Sequence, residues 1–401
     1  MRNIQVEIIN ELSDKGYIQN WKIKKTTNLM IQISKINTNK LVIEKCDFSE
    51  VENVFFHIIN SDNLILNINE CKFNNINFEH SKLNKINLCR SKVSRLLVNE
   101  LILNKISLFN INSFNILIKN NEINSLYLLD VNSKILSCSY NKKILDLEII
   151  DCNIKNEITI DNNKIIENLL INSLYLEDSK STDISIWNNF ITKDFQIFNL
   201  KIKSFRLSEN RISSNLIINK FNVKMLSFFN NIFEKNIIGN MKFIKISKAD
   251  SETYRVLKHF ANKNSDNTNY LIFNKLEQNE LIKEGKLSSA DYIILYFKKF
   301  ISDFGTDWGR AFVVTFFLTL IIFYLPIFYF LKSNFVFCSI MTGEFWNGYL
   351  KFLNITDYSN PLKLDKTPIT NGFINTWLFF GKIIMAVCIY EIIISFRKYH
   401  K

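Results

Sequence analysis

Glycine and proline are scarce in this chain, 9 and 3 among 401 residues. Their scarcity excludes a collagen-like or low-complexity chain. It also leaves no phosphate-cradling loop, because neither GxxxxGK(S/T) nor GxGxxG occurs. Histidine is almost as rare, with His57, His80, His259 and His400, and no two are spaced as zinc ligands. The seven cysteines, Cys46, Cys71, Cys89, Cys138, Cys152, Cys338 and Cys388, form no CxxC pair. An odd, scattered set among apolar neighbours reads as buried thiols in a reducing compartment. No catalytic, cofactor-binding or metal-binding residue is expected from these patterns. The opening MRNIQVEIINELSDKGYIQNWKIKK has no apolar core of signal-peptide kind, so the N-terminal region is expected to stay in the cytosol.

What is present is ordinary in bulk and uneven in detail. Hydrophobic residues make up 47% and charged residues 22%, as in a globular protein. The length points to two or three structural units. The net charge of +12 is not spread evenly. Residues 1–200 hold 23 basic and 23 acidic side chains, whereas residues 201–250 hold 10 and 3. A basic stretch of this kind fits a surface resting on anionic lipid, where each Lys or Arg contributes about 1 kcal/mol. Arginine runs with interleaved aromatics are missing, so nucleic acid is not an expected partner.

From Cys71 the chain reads CKFNN INFEH SKLNK INLCR SKVSR. Every fifth residue is large and apolar: Phe73, Phe78, Leu83, Leu88 and Val93. Two places before each stand Cys71, Ile76, Ser81, Ile86 and Ser91, which should also face inward. A period of five fits neither a helix nor a flat strand. It fits a coil of square section with one large inward residue per side. Farther on, a beat of 20 to 22 residues takes over, marked by Asn121, Asn141, Asn163, Asn189, Asn210 and Asn231. The 26-residue gap from Asn163 to Asn189 must hold a longer loop. Asparagine tolerates left-handed backbone geometry and can hydrogen-bond to its counterpart in the next coil. Isoleucine suits the pleated interior. Residues 28–247 are therefore expected to form a mainly β, parallel β-helix of roughly ten coils, given 20–22 residues per coil and a ~4.8 Å rise, after an N-terminal segment 1–27.

CKFNNINFEHSKLNKINL resembles the pentapeptide-repeat pattern of bacterial β-helices over residues 71–95. The resemblance implies a right-handed quadrilateral solenoid. Soluble members that mimic DNA and block topoisomerases are strongly acidic, and this solenoid is neutral to basic.

Helical spacing begins after Ile246. Ser247 and Asp250 have the spacing of a capping box. Tyr254, Leu257, Phe260 and Ala261 give one apolar face. A second helix is predicted over about 270–283, and a third from near Ser288 with Ile293, Leu295, Phe297 and Phe300. This neck, residues 248–308, is expected to cover the open edge of the last coil.

AFVVTFFLTLIIFYLPIFYFL, residues 311–331, carries no charge and is long enough for ~30 Å of hydrocarbon. It predicts a first transmembrane helix over 309–332. FINTWLFFGKIIMAVCIYEIIISF, residues 373–396, predicts a second. Lys298, Lys299 and Arg310 precede the first span, and Arg397, Lys398 and Lys401 follow the second. Positive flanks mark the cytosolic side. Both termini should then be cytoplasmic, with 333–372 as an extracytoplasmic loop and 397–401 as a basic tail on anionic lipid. Two polar residues in the second span form a candidate intramembrane site. Lys382 faces a water-filled path or a partner charge, or else bonds a carbonyl of the first span. Glu391 lies nine residues on, on the opposite helix face, so the two cannot pair. In the loop, Phe345, Trp346, Tyr349, Leu350 and Leu353 line one helical side, fitting an interfacial helix or a re-entrant pore helix.

ISDFGTDWGRAF resembles the approach to the first span in membrane-anchored pentapeptide-repeat proteins, some of which carry a channel-like pore module. A TVGYG-like filter is missing, and MTGEFWNGY does not replace it. The expected function is a membrane-anchored solenoid scaffold or sensor of a bacterial inner membrane. It would be a homo-oligomer presenting a surface to an unidentified cytosolic protein. A pore gated by the solenoid is the alternative. A carbohydrate-active β-helix enzyme is disfavoured because the carboxylates show no recurring spacing.

Overall fold

In the computed structural model, residues 18–249 form a parallel β-solenoid of about nine turns, and six helices follow. The structure describes residues 4–8, 17–19, 26–34, 39–59, 61–79, 81–174, 182–235, 237–239, 244–285, 287–330, 343–354, 363–364, 367–368 and 372–396. The chain divides into two units, Met1–Thr253 and Tyr254–Lys401.

The solenoid is built from strands of about eight residues, such as Lys72–Glu79, Lys82–Cys89 and Lys92–Asn99. Each pairs in parallel with the strand after next. Lys72 lies opposite Lys92 and Phe73 opposite Val93, a register of 20. Two strands and two tight corners therefore make one coil. Pairing starts ahead of residue 28, where Ile4–Ile8 lies along Thr26–Ser34. Nine coils at ~4.8 Å per coil span about 40 Å.

Both predicted inward columns are inside. Cys71, Phe73, Ile76, Phe78, Ser81, Leu83, Ile86, Leu88, Ser91 and Val93 are all buried. The five-residue rhythm does not dissolve beyond residue 95. It runs unbroken to Asn141 through Leu96, Val98, Leu101, Leu103 and their successors. Ser113, Asn121, Ser133 and Asn141 occupy inward positions and hide the beat from a reading that looks for apolar residues. Past Asn141 the coils lengthen. Glu122 faces Lys143, and Glu157 faces Asp183, a register of 26. The loop expected between Asn163 and Asn189 falls largely on residues 175–181, outside the described residues.

The corners correct one expectation. The left-handed residue is not the ladder asparagine but the one before it: Asn120, Tyr140, Asn162, Asn188, Glu209 and Asn230 all have φ of 50–59°. Elsewhere in the solenoid the same role falls to Lys45, Glu70, Arg90 and Lys220. No glycine occurs between Gly16 and Gly239. Each non-glycine residue in this geometry costs roughly 1–2 kcal/mol, so the coil must hold it by other means.

Those means are the ladder. The Asn121 backbone N–H and side-chain amide both donate to Asn141 Oδ1, at 3.0 and 3.1 Å. Asn141 does the same to Asn163, Asn163 to Asn189, Asn189 to Asn210 and Asn210 to Asn231. Each amide also donates to a backbone carbonyl of a neighbouring coil, as from Asn163 to Cys138 at 3.0 Å. Side-chain amides thus satisfy backbone groups that tight corners would otherwise bury unpaired. Ser81 and Ser91 play the same part earlier, accepting from Ile58 and Cys71.

The helices are α1 (Ser251–Lys263), α2 (Asn267–Glu284), α3 (Ser289–Ser302), α4 (Trp308–Phe330), α5 (Gly343–Leu353) and α6 (Gly372–Phe396). Ser247 is in the last strand, Ile244–Ala249, so the predicted capping box does not form. Asp250 caps α1 instead, accepting the Thr253 N–H at 2.7 Å. The first turn of α1 belongs to the solenoid unit. Thr253 Oγ1 accepts the Phe228 N–H at 2.8 Å, and Glu252 accepts that of Asn230 at 3.2 Å. Open N–H groups of a strand edge are thereby closed. In the second unit, buried Glu277 on α2 takes ion pairs from Arg255 and Lys258 on α1. Asp266 caps α2 and Ser288 caps α3, as the spacing predicts for the third helix.

Candidate functional site

Two helices, α4 and α6, are long and apolar enough to cross a membrane. Only 28% and 33% of their apolar windows are buried. Phe312, Phe317 and Ile321 on α4 are exposed, as are Phe379, Phe380 and Ile393 on α6. The helices meet at Gly381. A Cβ there would lie 2.6 Å from Ile322 Cγ2 and 3.1 Å from Phe352 Cζ, so only glycine allows this approach. The helix α4 continues through Pro326.

The loop helix α5 is wedged against both. Phe345, Tyr349 and Phe352 are buried with Ile322, Phe323 and Leu378. Phe345 packs edge-on to Phe323 and Tyr324. One turn later, the Tyr349 hydroxyl hydrogen-bonds Thr319 Oγ1 at 2.8 Å and donates to the Phe316 carbonyl at 3.2 Å. So α5 runs alongside α4 from Tyr324 back to Phe316, near the midpoint of α4. Of the aromatic side predicted for α5, Phe345 and Tyr349 face in, and Trp346 and Leu350 are exposed.

Lys382 lies close to the midpoint of α6. Its ammonium donates to the Asn354 carbonyl, just past the end of α5, at 3.2 Å. A cation at a helix C-terminus meets the negative end of the macrodipole and an orphan carbonyl. The carbonyl therefore belongs to the α5 end and not to the first span. Glu391 is 2% exposed. It accepts a hydrogen bond from Ser302 Oγ at 2.7 Å, and Ser302 Oγ accepts the Gly305 N–H at 2.8 Å. Asp303, Phe304 and Gly305 all have left-handed φ, which turns the chain sharply between α3 and α4. A Cβ on Gly305 would meet Ile394 Cγ2 at 2.7 Å. The two polar residues of α6 thus serve different levels of the bundle, Lys382 holding α5 near the middle and Glu391 the α3–α4 corner at one end. They do not pair. Ser302, Asn354 and Gly381 carried no sequence signal of their own beyond a glycine within an apolar run.

In the solenoid unit a groove of about 450 Å³ opens on one face. Its floor is shaped by Ser113 and Ser133, where neighbouring coils place Val93 and Ile154 inward. Lys92, Lys134 and Lys155 line it, with no acidic residue. The Lys134 ammonium sits 4.2 Å from the centroid of the exposed Phe114 ring. Among the described residues, the basic side chains of 201–250 are at the surface, among them Lys201, Arg206, Lys224 and Lys245. Lys203 pairs with Asp183 and Arg211 with Glu234. Residues 397–401 lie outside the described residues, as do Lys332 and Cys338.

Two solenoid thiols are held neutral by their surroundings. Burial pushes Cys138 and Cys152 up to about 12. Among the described residues all cysteines are free, and no cluster of His, Cys, Asp and Glu could hold a metal ion. No family model, curated protein or solved structure matches the chain.

Proposed function

We propose that this protein is a membrane-anchored scaffold or sensor: α4 and α6 span a bacterial inner membrane, and the solenoid presents a binding surface to a cytosolic protein. The observation that carries the reading is the large outward apolar surface of α4 and α6. A soluble core helix hides such a surface, and here only 28% and 33% of the two windows are buried. Hydrocarbon is the solvent that makes this stable. The lysine-lined groove, with Phe114 at its centre, is the surface offered to the partner. The five-residue inward rhythm supports kinship with membrane-anchored pentapeptide-repeat proteins. Positive flanks of the two spans support cytosolic termini, and the proposed assembly is a homo-oligomer.

A second reading, a pore, has one observation in its favour. If α4 spans the bilayer, α5 is re-entrant, and its carbonyl end meets Lys382 near mid-depth. A cation at that point disfavours cation passage, and no carbonyl filter accompanies it.

Planar-bilayer recording of the reconstituted full-length chain separates the two. The scaffold reading expects no current. A current whose ion selectivity changes in Lys382→Leu would replace it with the pore reading.

A further inference from the structure

The helix α3 has more apolar surface than its neighbours use. At 100° per residue, Ile293, Tyr296, Phe297, Phe300 and Ile301 share one broad face, and Asp291, Lys298 and Lys299 lie on the other. Ile301 is buried with Ala311 of α4 and Cys388 of α6, and Phe297 packs on the same cluster. The rest of the face has no cover. Ile293 is 71% exposed, and Ile294, Tyr296 and Phe300 are each more than half exposed.

Its place along the bundle is informative. Ala311 stands one turn inside the start of α4, and Cys388 about two turns before the end of α6. At the end of α6, two turns farther on, Trp308 packs on Phe396 with ring centroids 5.3 Å apart. Tyr292 stacks on Tyr296 at 6.3 Å. Trp and Tyr collect at the boundary between hydrocarbon and headgroups. Lys298, Lys299 and Arg310 surround this end, and Arg310 Nε donates to the Phe300 carbonyl at 3.0 Å. Asp303 is taken by Lys275.

We propose that α3 lies in the headgroup boundary of an anionic bilayer, with Ile293, Tyr296 and Phe300 in the acyl edge and Lys298 and Lys299 toward lipid phosphates. Its exposed apolar residues continue the outward surface of α4, and its charge complements an anionic leaflet. The inference rests on the reading of α4 and α6 as membrane spans.

The test uses spin labels on the full-length chain, with Cys89 and Cys338 replaced by serine, in vesicles containing phosphatidylglycerol. Labels are placed at Ile293→Cys and Phe300→Cys. Phe317→Cys on α4 reports the span, and Lys142→Cys, exposed on the solenoid outside the basic stretch, reports water. The expected result is collision with oxygen several-fold favoured over collision with a nickel chelate at 293 and 300, at a shallower depth than at 317. If 293 and 300 match 142 while 317 is in lipid, the interfacial placement is wrong and the spans stand. If 293 and 300 are shielded from both reagents, another protein surface covers α3 and the lipid assignment is overturned. If 317 itself reports water, the spanning reading fails, and this inference with it.

Discussion

The two units solve opposite problems. The solenoid hides polar groups: Asn121, Asn141, Asn163, Asn189 and Asn210 are each at most 3% exposed, yet every amide has partners in adjacent coils. The helical unit shows apolar groups: α4 and α6 turn phenylalanines and isoleucines outward, and hide Glu391 within. One unit makes its interior safe for polarity by complete pairing. The other, on the proposed spanning reading, depends on a solvent of another kind around it. Stability in the first unit should therefore respond to single lost hydrogen bonds. In the second it should respond to close packing and to the surrounding lipid or detergent.

The largest effect is expected in the ladder. Asn163→Leu removes acceptors for Asn141 and donors to Cys138 and Asn189. Each orphaned buried group costs about 1–3 kcal/mol, so a loss of about 3 kcal/mol or more is expected from urea unfolding followed by circular dichroism. An unchanged midpoint would remove the ladder from the account.

Next is Gly381→Val, which forces α4, α5 and α6 apart. Overpacking of this kind costs about 1–3 kcal/mol, read as a lower melting temperature in detergent. Ser302→Ala leaves buried Glu391 without this donor, at a cost of about 1–3 kcal/mol by the same melt. Adding Glu391→Leu should restore part of it, because the carboxylate no longer needs a donor while the Gly305 N–H still lacks its acceptor.

A smaller effect is chemical. Since burial raises Cys138 and Cys152 above the ordinary 9.0, the fold favours their neutral thiols. Their contribution to stability is complete below pH 9 and is lost as pH rises toward 12. At pH 8 in the native protein, alkylation should reach half-exposed Cys89 first, and mass spectrometry should find Cys138 and Cys152 modified only in urea. The smallest effect is expected at Asn75, which bonds Asn53 on the half-exposed outside of the coil at 3.0 Å. Asn75→Ala should cost no more than about 1 kcal/mol, since water replaces the lost partner.

Sequence spacing carried much of the solenoid and less of the bundle. The inward columns from Cys71 to Val93 were legible because five-residue spacing is a geometric statement. Their continuation to Asn141 was not, because Ser113 and Asn121 pack inward for reasons of hydrogen bonding that hydrophobicity does not register. The corner residues were illegible as well: Lys45, Arg90 and Tyr140 adopt left-handed geometry because the coil imposes it. Helix geometry placed Lys382 and Glu391 on opposite faces. Their partners could not be read, since Asn354 and Ser302 lie 28 and 89 residues away in sequence.

Extraction of membranes from expressing cells with alkaline carbonate tests the spanning reading of α4 and α6 most directly. The account predicts that the full-length chain stays in the pellet and leaves it only with detergent. Release of the chain into the carbonate supernatant would contradict it.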